Sequence, residues 1–102
     1  MPSLDQLLPL LEADPQDSFL RYGVAMEYAK LGRFDDAMRE FNELLKNAPD
    51  YVAGYFMAGR TCEQMDDLEK AKTYYRDGIA AAKRTGDQHA AGEISAALMM
   101  IE

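Results

Sequence analysis

Apolar and small residues recur along this chain at steps of three and four, and the pattern then returns after 34 residues. Tyr55, Ala58, Gly59 and Cys62 make one such stripe, and Ile94, Ala97, Leu98 and Ile101 make another. Steps of that size put side chains on one face of an α-helix. One period apart stand Ala25 and Gly59, Gly32 and Asp66, Ala37 and Ala71, and Phe41 and Tyr75. Small residues where helices cross let backbones approach, while the aromatics fill the space between neighbouring helices. Gly32 follows the segment "AMEYAKL", where a helix is expected to end in a left-handed cap, and Asp66 has to do the same job at some cost.

A period of this length is that of a helix-turn-helix solenoid, a scaffold that binds things rather than transforming them. The segments "YGVAMEYAKLGRFDDAMREFNELLKNAPD" and, more loosely, "YFMAGRTCEQMDDLEKAKTYYRDGIAAAK" resemble the tetratricopeptide repeat family. In the first, Val24 and Ala25 look like the family's first-helix pair, Tyr28 like its aromatic and Gly32 like its turn glycine. Ala37, Phe41 and Pro49 look like the second-helix alanine, its aromatic and the closing proline. In the second, Tyr55, Ala58, Gly59, Ala71 and Tyr75 match, whereas Cys62, Asp66, Gly78 and Lys83 depart from the pattern. The resemblance implies an all-α, tetratricopeptide-like antiparallel helix-pair solenoid of about six helices in a right-handed superhelical arc. The expected organisation is a single domain over 1–102, with a partial leading unit at 3–13, repeats at 18–51 and 52–85, and a terminal capping helix at 87–102.

The leading unit follows from Pro15, one period before Pro49, which makes "SLDQLLPLLEA" a second helix with Leu7 in the aromatic's place and Leu10 in that of the following small residue. Pro9 opposes this, because a proline inside a helix removes a hydrogen bond, so a short, kinked or restarted helix is expected. Asp87 is placed to cap the last helix.

Charge narrows the function. Eleven basic against eighteen acidic residues give a net charge of −7, with no basic stripe to neutralise phosphates, so nucleic acid is not an expected partner. No run of about 18 apolar residues is present to span a membrane as a helix. The start "MPSLDQ" lacks a basic region followed by an apolar stretch, and a cytoplasmic location is expected. Cys62 falls on the packing stripe and reads as a buried thiol, while His89 reads as a surface residue near a helix start without a second soft ligand. Asp35 and Asp36, and Asp66 and Asp67 one period later, belong at turns and first helical turns, where carboxylates oppose unpaired N–H groups. Lys83 and Arg84 read as favourable charge at a helix C-terminus. No nucleophile–base pair, metal cluster or phosphate-cradling loop emerges, so no catalytic residue, metal or cofactor is expected.

The resemblance further implies that function lies on the first helix of each unit. The groove-facing positions are Phe19, Tyr22, Met26, Ala29 and Lys30 in the first repeat, and Ala53, Phe56, Arg60, Glu63 and Gln64 in the second. Family members that clamp a C-terminal carboxylate use lysine, asparagine and arginine there. Tyr22 and Met26 occupy such positions here, so that clamp is not expected. The reading is a noncatalytic adaptor that binds a protein or peptide, either a helix or an extended apolar segment, with Arg60 the anchor for an acidic group. The alternative is a homodimer that uses the same surface or the end of the array, where Met99 and Met100 are apolar.

Overall fold

The computed structural model describes residues 2–102 and contains, among them, six helices and no strand: α1 Leu4–Ala13, α2 Ser18–Lys30, α3 Phe34–Asn47, α4 Val52–Gln64, α5 Leu68–Thr85 and α6 Gln88–Met99. They form two compact units, Met1–Ala48 and Pro49–Glu102, and successive helices pack in pairs within each.

The turns repeat one chemical solution. Gly32, Asp66 and Gly86 all take positive φ, at 75°, 60° and 76°. At each, the next residue's N–H reaches back five residues, from Arg33 to Tyr28 O at 3.0 Å, Asp67 to Cys62 O at 2.9 Å and Asp87 to Ala82 O at 2.8 Å. These bonds occupy carbonyls that the helix end leaves unpaired. Asp66 therefore does what Gly32 does, with a Cβ in a region that disfavours one. Asp66→Gly is expected to stabilise the second unit by about 0.5–1 kcal/mol, read as a raised urea midpoint. An unchanged or lowered midpoint would show that the aspartate's local bonding outweighs its strain.

Asp17, Asp67 and Asp87 begin α2, α5 and α6 by accepting from the N–H of Leu20, Lys70 and Ala90 at 3.0, 3.2 and 3.0 Å. Helix α3 starts after Arg33 without a side-chain cap; Asp35 and Asp36 lie in its first turn, and Asp36 pairs with Arg33 at 2.9 Å and Arg39 at 2.7 Å.

Pro9 lies inside a continuous α1, its ring exposed. The packed stripe there is Leu7 and Leu11, clustered with Val24 and flanked by Leu4, Leu8, Leu20 and Tyr28. Leu10, expected to pack, is 52% exposed. Steps of three and of four flank Leu7 on opposite sides; in α1 the step of four, Leu11, is the one that packs with Val24, and Leu10 falls outside that contact.

In the first unit Val24, Ala25, Ala37, Phe41 and Leu44 are buried; in the second Ala58, Cys62, Ala71, Tyr75, Ala81, Ala82 and Ile94 are. Two glycines set how closely the second unit's helices meet. A Cβ at Gly59 would stand 2.3 Å from Tyr75 Cε1, and one at Gly78 would stand 2.8 Å from Tyr55 Cβ and 3.2 Å from Ile94 Cδ1. Gly78 thus lets α5 receive side chains from both α4 and α6.

Candidate functional site

Each unit carries the same aromatic pair, displaced by one period. Tyr22 of α2 meets Phe41 of α3 edge-on with centroids 6.5 Å apart at 64°, and Phe56 of α4 meets Tyr75 of α5 at 6.1 Å and 62°. Such edge-to-face contacts add stabilisation beyond the area they bury. Tyr22 and Phe56, expected to line an open surface, are therefore half-buried and partly committed to the core.

On α2, Phe19 is the outlying residue, 69% exposed. Met26 and Ala29 are half-buried. Lys30 pairs with Glu27 at 3.3 Å and borders a cleft of about 530 Å³ that is also lined by Ser3, Leu4 and Arg33. Glu27, buried although charged, escaped notice in the sequence; Lys30 three residues on was the available signal.

The second unit gathers more. Phe56, Arg60 and Glu63, on one face of α4, line a cleft of about 230 Å³ with Tyr75 of α5, Ala97 of α6 and Met100 just beyond it. The Arg60 guanidinium lies 6.0 Å from the Phe56 ring centroid, and the Tyr75 hydroxyl donates to Glu63 Oε2. Ala53 and Gln64 are exposed and lie outside this cleft. Ala97 and Met100 were not among the expected site residues, because a position beyond the last repeat has no period-matched partner to reveal it.

Burial and the bonded, negatively charged Glu63 push the Tyr75 phenol well above its ordinary value. An unfolded tyrosine ionises near pH 10. Below that pH both states are neutral and the contribution is fully present; above it the unfolded chain loses its proton first, so stability falls as pH rises. The urea midpoint is expected to drop above about pH 10, and Tyr75→Phe should flatten the drop. Equal slopes in the two proteins would assign the loss elsewhere.

Cys62 is a buried free thiol whose pKa is raised, chiefly by burial. Burial in an apolar core is the setting of a structural rather than a reactive thiol. His89 is exposed and 3.2 Å from Glu93. Among the described residues, no three His, Cys, Asp or Glu side chains are grouped to hold a metal ion, and no helix is long and apolar enough to cross a membrane.

Proline-bearing loops are held by side chains rather than by sequence alone. Arg21 donates to Pro15 O at 3.0 Å and to Glu40 at 2.6 Å, and one period later Tyr55 donates to Pro49 O at 2.7 Å. Arg84 adds bonds to Pro49 O at 3.1 Å and to Asp50 Oδ1 at 2.7 Å, so its role is a loop clasp beyond any favourable charge at the helix end.

Two tetratricopeptide repeat models match, over residues 18–61 and 52–85. A tetratricopeptide repeat domain protein of Salinibacter ruber, solved in solution, is 35% identical, with 87% of this chain and 90% of that one covered and a TM-score of 0.82. A TPR repeat-containing protein of Pseudomonas aeruginosa is 24% identical, covering 97% of this chain and 94% of that protein. PcrH, solved in complex with the chaperone binding region of PopD, superposes with a TM-score of 0.89 at 18% identity, covering 96% of this chain and 74% of PcrH, a likeness of fold.

Proposed function

We propose that this chain, which belongs to the tetratricopeptide repeat family, binds a peptide or a helix of a partner protein through apolar surface on the first helices of its units. The family is one of noncatalytic protein-interaction scaffolds. The observation that carries the finer reading is the cleft in the second unit, where aromatic side chains, Ala97 and Met100 surround about 230 Å³ with an exposed arginine at its edge. Drug-sized ligands occupy roughly 300–1,000 Å³. A single side chain suits this volume better, as expected when the ligand is a polypeptide. Phe19, exposed on α2, supplies a second apolar contact of the kind that anchors interfaces.

The test is to select binders from a library of displayed random peptides on the immobilised chain, then measure one of them against Phe19→Ser and Arg60→Ser. Both positions are exposed, so the helices should persist by circular dichroism. Charged replacements of Tyr22 or Phe56 would confound unbinding with unfolding, since each is packed on a buried ring. About a tenfold loss of affinity in at least one variant is expected, roughly 1.4 kcal/mol; unchanged affinity in both sinks the reading.

Self-association is the second reading, favoured by Met99 and Met100, which are 75% and 84% exposed. Light scattering across a wide concentration range separates the two. A monomer throughout leaves the apolar surface to an outside ligand, and a concentration-dependent dimer gives it to another copy.

A further inference from the structure

The second unit's cleft has an asymmetry that its apolar character alone does not explain. Its two charged residues, Arg60 and Glu63, sit one turn apart on α4 and are in different states of engagement. Glu63 is half-buried and accepts the Tyr75 hydroxyl. Arg60 is exposed, its guanidinium 6.0 Å from the Phe56 ring centroid, and among the described residues no carboxylate lies within ion-pair distance of it. A guanidinium at the margin of an aromatic ring still presents its N–H edges for a planar acceptor. An unpaired cation on a chain of net charge −7 is a local exception to the field around it.

Size fixes the other half. A cavity of about 150 Å³ admits benzene. The 230 Å³ here, lined by Phe56, Tyr75, Ala97 and Met100, therefore has room for one leucine- or methionine-sized side chain.

We infer that this cleft recognises a pair of features on a helical partner: one leucine or methionine seated in the cleft, and one carboxylate a helical turn away, paired with Arg60. The inference rests on the peptide-binding reading and adds the chemistry that selects the peptide. Residues three and four apart share a helix face, so a partner helix brings both groups to the site together. The chain's overall negative charge works against a partner with a run of acids. A single acid gains because screening confines the wider field to about 8 Å at physiological salt, while a direct pair with Arg60 is shorter than that.

Two end-capped, alanine-based helical peptides test this. Both carry one leucine; one has a glutamate a turn before it, the other a glutamine. Each is titrated against protein labelled at the methionine methyls, and the Met100 signal gives the affinity. The glutamate peptide should bind about fivefold more tightly than the glutamine peptide, and Arg60→Gln should remove that difference. Equal binding of the two peptides by the unaltered chain, or a fivefold preference that persists in Arg60→Gln, would overturn the inference and leave peptide binding standing. Absence of any Met100 shift with either peptide up to millimolar concentration would overturn the cleft's role itself.

Discussion

Gly59→Ala is expected to destabilise the second unit by about 3 kcal/mol, although alanine is the better helix former by about 1 kcal/mol. The added carbon would lie 2.3, 2.6 and 2.9 Å from three atoms of the Tyr75 ring. That ring has little freedom to yield: it is fully buried, it meets Phe56 edge-on, and its hydroxyl is bonded to Glu63. The helices must separate instead, and the cleft walled by these residues opens with them. Urea unfolding gives the loss. The double variant Gly59→Ala/Tyr75→Leu separates the mechanism from a general effect, because a clash relieved by the smaller side chain gives a coupling of more than about 1 kcal/mol. Additive losses, or a single-variant loss below about 0.5 kcal/mol, would mean that the backbones have slack at this crossing.

Phe41→Ala should cost the first unit about 3–5 kcal/mol, the usual range for removing a buried aromatic. Phe41 is fully buried and in edge-to-face contact with Tyr22. A loss of that size is a large fraction of the 5–15 kcal/mol by which domains are typically stable. Phe19→Ala is the control: the same chemical deletion on the same unit, at a residue 69% exposed, should fall within about 0.5 kcal/mol. Similar losses at the two positions would contradict the burial difference on which the proposed binding face depends.

The helices of the two repeats were legible because their packing is local and periodic. Ala25, Ala37, Phe41, Ala58, Gly59, Ala71 and Tyr75 repeat at a fixed spacing, and each is buried where that spacing puts it. Gly32 and Asp66 were legible through the positive φ that a helix end demands. Leu10 was misassigned because a leucine-rich helix offers two adjacent faces of similar hydropathy, and only its neighbour decides between them. The site was less open to reading than the fold. That Tyr22 and Phe56 lie against Phe41 and Tyr75 depends on interhelical distance, which residue type does not encode. Arg84 looked like ordinary helix-end charge because its partners, Pro49 and Asp50, lie a full period earlier in the chain. Met100 entered the cleft through the packing of α6 on α5, a contact that no repeat spacing announces.

The bonds to Pro15 O and Pro49 O set a rule for anyone splicing a further 34-residue module into this chain. Arginine makes the bond in one loop and tyrosine in the other, each six residues after its proline. The transplanted segment must carry a long donor at that sixth position, whether arginine or tyrosine, or its entry loop will arrive unfastened.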